Sequence, residues 1–239
     1  MIISNAHRFV MLAPWKTAST TTHLLLGPYN QSPYSRFYAF NPHLQRVVTQ
    51  HMTYADFQGL PESRLGYFTA SFVRNPYDRV YSAFTQLPRD LERQPQAKFE
   101  TPWVRSLVKA QMAEITERLA QAEFDFDRWW GLVEEHEIRV VGNTSLPLHP
   151  AHYWTGRPGQ PQVDFVGKVE RYEDDIAAFS EKAGIPPPGE RIVANATDKR
   201  GVSAAGYRYA ERMSPASRSK VESLFREDFE LFGYETFRS

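Results

Sequence analysis

The chain of 239 residues contains no cysteine. Disulfides and thiolate metal sites are excluded, so any chemistry has to come from hydroxyls, amines, imidazoles and carboxylates. An excess of charge of either sign is also missing, since Lys+Arg and Asp+Glu are both 28. Overall charge therefore gives no reason to expect nucleic-acid or membrane-surface binding, and an anion site has to be built locally. No apolar run approaches the roughly 18 residues of a membrane span. Met1 to His7 shows no basic segment leading into an apolar one. The expectation is a soluble cytoplasmic protein of bacterial type. No internal repeat and no domain boundary stand out, and the length suits one domain over 1–239 with a substantial core.

What is present is an alternation of strand and helix signals, which predicts an α/β fold with a mostly parallel sheet flanked by helices. Strands are expected at Arg8 to Ala13, Gln45 to Gln50, Tyr67 to Val73 and Val163 to Lys168. Helices are expected at Thr20 to Leu26, from a Thr53 cap onward, and at Tyr77 to Phe84. Others are expected at Trp103 to Ala120, Asp127 to Glu135 and Tyr172 to Lys182, with a last one capped at Ser214-Pro215. The segment Asn30 to Pro42 reads as irregular.

The first strand runs into Pro14-Trp15-Lys16-Thr17-Ala18-Ser19-Thr20-Thr21. A strand, a tight loop and a helix opening in hydroxyls aim backbone N–H groups and a lysine at one spot, which suits a phosphate or sulfate. The Gly-x-x-x-x-Gly-Lys-Ser/Thr spacing of a Walker A loop is absent. A second element is Arg74-Asn75-Pro76-Tyr77-Asp78-Arg79-Val80-Tyr81-Ser82. A guanidinium at a strand end can grip a phosphate through two parallel hydrogen bonds, and a serine can complete the shell. The plainer alternative is a strand-to-helix turn with Arg79 in a surface ion pair. Between the two lies His51-Met52-Thr53-Tyr54-Ala55-Asp56-Phe57, whose histidine suits proton abstraction near neutral pH. Its alternative role is in helix capping or packing.

These elements resemble the sulfotransferases. The Lys16 loop looks like their 5′-phosphosulfate loop, and Arg74 with Ser82 looks like their 3′-phosphate motif. The His51 segment resembles the branch that sulfates uronyl and heparan 2-hydroxyls, where a histidine at this place serves as base. Further on, His149-Pro150-Ala151-His152 and Asp164-Phe165-Val166-Gly167-Lys168-Val169-Glu170 follow a family pattern of a histidine loop and a strand. The family loop often reads His-x-x-Pro-Gln, and this chain departs from that. Asn195-Ala196-Thr197-Asp198-Lys199-Arg200-Gly201 resembles a late basic loop over the nucleotide.

The resemblance runs from about Arg8 to Tyr234 and implies a three-layer, P-loop-NTPase-like sulfotransferase fold. The implied donor is 3′-phosphoadenosine 5′-phosphosulfate (PAPS), with adenosine 3′,5′-bisphosphate as product. The implied acceptor is a hydroxylated molecule, a glycan or glycolipid above all. His51 and Lys16 would be catalytic. Lys16, Thr17, Ala18, Ser19, Thr20, Thr21, Arg74, Ser82, Lys199, Arg200 and Gly201 would bind the donor, and His149 and His152 the acceptor. No metal is expected, because lysine and arginine supply the positive charge. The carboxylates Glu170, Glu173, Asp174 and Asp175 read as a solvated helix start. The rival functions are a P-loop-type kinase and a non-catalytic carbohydrate-binding protein on the same fold.

Overall fold

The computed structural model describes residues 1–34, 38–93, 102–139, 148–157, 160–187 and 209–237. In chain order the described elements begin with β1 (Ile2–Ser4), β2 (Phe9–Leu12), α1 (Ser19–Leu26), β3 (Ala39–Asn41), β4 (Arg46–Val48), α2 (Tyr54–Gln58) and β5 (Phe68–Val73). They continue with α3 (Pro76–Arg93), α4 (Pro102–Gln121), α5 (Phe126–Leu132), α6 (Glu135–Arg139), α7 (His152–Thr155), β6 (Gly156–Arg157) and β7 (Gln160–Pro161). The last are β8 (Phe165–Lys168), α8 (Tyr172–Lys182), α9 (Pro215–Leu224) and α10 (Arg226–Phe232). Two compact units emerge. The first comprises Met1–Arg74, Ala151–Val202 and Glu230–Tyr234, and the second Asn75–Pro150, Ser203–Phe229 and Glu235–Ser239.

The first unit holds a sheet in the order β1-β2-β5-β8. The pairs β2–β5 and β5–β8 are parallel, and β1 adds an antiparallel edge. Period-two alternation sends Ile2, Phe9, Met11, Ala70 and Phe72 to one face, where Leu26 of α1 and Ile176 and Phe179 of α8 cover them. Ile3, Val10 and Leu12 go to the other face, against Phe57 of α2, Trp154 of α7 and Val48 of β4. Helices thus lie on both sides of a mostly parallel sheet, the expected three-layer α/β arrangement. Burial on both faces explains why β1 and β2 are nearly continuous apolar runs. Each fully buried side chain of this kind stabilises the fold by about 1.5–3 kcal/mol.

At Gly167 in β8, an added Cβ would lie 2.5 Å from the Phe72 ring. The strand tolerates no side chain there, because that ring crosses directly over it. At the other end of β8, Asp164 accepts from both the backbone N–H and the hydroxyl of Thr69, at 2.7 and 2.8 Å.

The second unit is helical among its described residues. Trp129 and Trp130 are fully buried in it. The Trp129 ring packs on Phe84 at 5.3 Å, and Trp130 stacks on Phe225. Lys220 donates to the carbonyls of Trp130 and Val133 at 2.7 and 2.6 Å, closing the C-terminal end of α5 with a cation where the helix dipole favours one. Ser214 caps α9 through the Ser217 N–H, as its sequence predicts.

The structure departs from the sequence reading in several places. Strand β1, and β3 within the segment read as irregular, are three-residue pieces, each paired antiparallel with the strand that follows it. Helix α3 runs well past Phe84 and carries Pro88 inside it, because the buried stripe continues to Leu87. One expected helix is two, α5 and α6, and the last splits into α9 and α10. Arg79 is not in a surface ion pair. It is fully buried, donating to the His149 carbonyl at 2.6 Å and to Asp228 at 3.3 Å, with its guanidinium over Phe225. Asp175 is not solvated either: it is buried and accepts the Lys168 N–H at 2.7 Å.

Candidate active site

The parallel strands β2, β5 and β8 all end on one edge of the sheet, where open α/β sheets hold their ligands. Past Leu12 the chain turns sharply. Lys16 and Ala18 both adopt left-handed backbone, with φ of 65° and 59°. Such a conformation costs a residue with a Cβ about 1–2 kcal/mol, and strain of this kind gathers at functional sites. The Thr17 hydroxyl folds back onto the Pro14 carbonyl at 3.0 Å and fixes the turn. That side chain is buried, and its hydroxyl is committed to the turn.

Ala18 occupies the cap position of α1 and supplies no side-chain acceptor. The first turn of the helix, Ser19 to Thr21, thus presents its N–H groups at the end of the loop. Thr22 donates its hydroxyl to the Ala18 carbonyl at 3.2 Å and lies 2.8 Å from the Tyr172 hydroxyl. With the threonine proton already committed, Tyr172 is the donor to Thr22. Burial pushes the Tyr172 phenol up to about 12, which keeps it in that role.

Arg74 directly follows β5, and its guanidinium donates to the Lys16 carbonyl at 3.4 Å. The structure therefore brings Lys16 and Arg74 together. Lys168, the last residue of β8, lies opposite Val73 in the ladder, its ammonium 4.6 Å from the centre of the Tyr234 ring.

His51 joins the same place from the opposite direction. It follows β4 and precedes α2, which starts with a Thr53–Asp56 capping box. Its Nδ1 lies 2.7 Å from the Ala13 carbonyl, and its ring stacks on Trp15 at 3.7 Å. A carbonyl only accepts, so Nδ1 carries the proton and Nε2 is the basic nitrogen. The Gln50 side-chain amide approaches Nε2 at 3.3 Å, consistent with that tautomer. Burial drives the His51 pKa down to about 3, and the charges of His23 and Lys16 act in the same direction.

The other sequence-predicted residues are placed differently. Ser82 lies on α3 in the second unit and is buried. His149 is buried in the same unit, with Nδ1 2.9 Å from the Ile138 carbonyl. His152, in the first unit, opens α7 and is also buried. Lys199, Arg200 and Gly201 lie outside the described residues. Among the described residues no group of His, Asp and Glu is arranged to hold a metal ion, and no helix is long and apolar enough to cross a membrane.

Sequence reasoning gave no role to three residues found at the site. Trp15 had a visible signal in its place directly before Lys16. His23 had one in its spacing of four from Ser19, whose carbonyl its Nδ1 meets at 2.8 Å. Tyr172 had none, since its link to Thr22 spans 150 residues.

A strained loop and an uncapped helix N-terminus stand together with a lysine, an arginine and a histidine at the edge of a parallel sheet, an arrangement whose chemistry suits an anion. A model of the sulfotransferase family matches residues 1–235, and the chain belongs to that family. It is accordingly a sulfuryl-transferring enzyme. Comparison with curated proteins and with solved structures returned no match.

Proposed function

We propose that this sulfotransferase, acting as one domain over 1–239, takes its sulfuryl group from PAPS and delivers it to a hydroxyl of a carbohydrate acceptor. The observation that carries the reading is the junction of His51 with the Lys16 loop through Ala13 and Trp15. The acceptor oxygen attacks sulfur in line, forming one S–O bond as the S–O bond to the 5′-phosphate breaks. The hydroxyl proton passes to Nε2 of His51, and adenosine 3′,5′-bisphosphate leaves. Lys16 and the N–H groups of Thr17 to Thr20 stabilise charge on the transferring group and the departing phosphate. Contacts of this kind are worth about 3 kcal/mol of barrier each.

The negative charge of the bound donor raises the basicity of His51 from its depressed value, since an opposite charge favours the protonated ring. Arg74 and Ser82 are assigned to the 3′-phosphate, and Lys199, Arg200 and Gly201 to the nucleotide, on their sequence motifs. His149 and His152, both buried, are assigned to the acceptor on the sequence pattern of their loop. No step calls for a metal ion.

The test has two arms. Thermal shift should show stabilisation by adenosine 3′,5′-bisphosphate and none by ATP·Mg²⁺; the reverse would make the chain a kinase. Bisphosphate release should then be scanned across hydroxylated acceptors, sugars first. Lys16→Ala should lower turnover on the order of 10²-fold and weaken bisphosphate binding. His51→Gln should abolish turnover and leave that binding intact. Normal turnover in His51→Gln would remove the base assignment.

A further inference from the structure

Trp15 joins His51 to the loop but takes no chemical step in the mechanism above. It stands inside the donor loop, between Pro14 and Lys16, and its ring lies 3.7 Å from the His51 imidazole at an interplanar angle of 24°. Ala13, two residues earlier, takes the Nδ1 proton of the same imidazole at 2.7 Å. These two holds constrain different motions. The hydrogen bond fixes the tautomer and the direction of Nε2 within the ring plane. The stack fixes the plane itself, because tilting the imidazole would break contact with the indole face.

The backbone of His51 is held from elsewhere. Trp154 of α7 donates its indole N–H to the His51 carbonyl at 3.1 Å, and the Thr53–Asp56 box pins the start of α2. The main chain of the histidine is thus anchored by α7 and α2, while the donor loop holds its ring by the Ala13 carbonyl and the Trp15 stack.

We infer that Trp15 is a positioning residue for His51, through which the conformation of the donor loop sets the aim of Nε2. The inference rests on the reading of His51 as the base. It makes occupancy of the donor site and alignment of the base one event: a loop settled on the donor presents both the indole face and the Ala13 carbonyl in register. A side chain at position 15 without a flat ring leaves Lys16 and the α1 N–H groups in place but frees the imidazole to tilt. Proton abstraction then suffers while donor binding does not.

The experiment compares Trp15→Leu, which keeps apolar bulk, with Trp15→Phe, which keeps a stacking ring, each in the full chain. Adenosine 3′,5′-bisphosphate is the donor-site probe, and ¹⁵N-histidine NMR reads the His51 tautomer. Trp15→Leu should lower kcat by about 10²-fold, the scale of a misaligned catalytic group. Its bisphosphate Kd should stay within about threefold. A tilted imidazole loses the Ala13 carbonyl, so the His51 signals of this variant should show mixed tautomers where the native enzyme shows a single Nδ1–H form. Trp15→Phe should restore most of kcat and the single form. Native kcat and a single tautomer in Trp15→Leu would overturn the inference, as would a loss confined to bisphosphate affinity. Should His51→Gln remain active, the base reading fails separately, and the tautomer signals still decide whether Trp15 orients the ring.

Discussion

The loop at 13–18 and the segment at 74–82 look alike in sequence. Each follows a strand, each carries cations, and each leads into a helix. In the structure they differ in where their polar groups go. The loop spends backbone strain at Lys16 and Ala18 to present N–H groups and a lysine at a sheet edge. In the 74–82 segment Arg79 turns inward to a fully buried carboxylate, and Asn75 accepts the Tyr77 N–H. Arg74 reaches the loop, at the Lys16 carbonyl. A motif of polar residues is therefore a mixture. Some members are aimed at a ligand and others hold the backbone, and residue type alone does not sort them.

The largest test of that contrast is Arg79→Ala. Removing a guanidinium from the buried Asp228 should cost about 3–5 kcal/mol of unfolding free energy by urea titration. Arg79→Met combined with Asp228→Leu should cost much less, since apolar replacement of a buried pair is often close to neutral. Equal losses in the two variants would mean that Arg79 works through packing and not as an ion.

Next in size is the response to pH. Burial lowers His51 to about 3 and His23 to about 4 from an ordinary 6.5. The folded rings refuse protons that the unfolded chain accepts, so stability is full above pH 6.5 and falls as pH drops from 6.5 toward those values. His51→Gln should flatten part of that slope in thermal melts from about pH 7 down to about pH 5, the range in which an unfolded histidine takes up its proton. An unchanged slope would show that His51 is solvated.

The smallest effect is at the loop itself. Ala18→Gly relieves a left-handed alanine and should raise stability by up to about 1 kcal/mol. A measured loss would mean that the φ of 59° is not held in solution.

Much of the fold was legible because strand and helix periods differ and the sheet is buried on both faces. The runs at Phe9–Leu12 and Phe68–Val73 announce parallel strands without any partner in view. The short strands β1 and β3 do not, since three residues carry too little pattern and exist by pairing. At the site, the Lys16 loop was readable from local order alone. The pairing of His51 with Ala13 was not, because it joins residues 38 apart. The burial of Arg79 was hidden for the same reason, with its carboxylate partner 149 residues away.

Gly167 bears on the site from a distance. It lies directly opposite Phe72 in the β5–β8 ladder, under a ring that leaves room only for hydrogen. Sliding β8 by two residues would force Phe165 beneath that ring, and sliding it by one would reverse every side chain of the strand. The missing side chain thus acts as a key for alignment, admitting one pairing and rejecting its neighbours. Through it, the choice of which residue ends β8 opposite Val73 is made in the middle of the sheet.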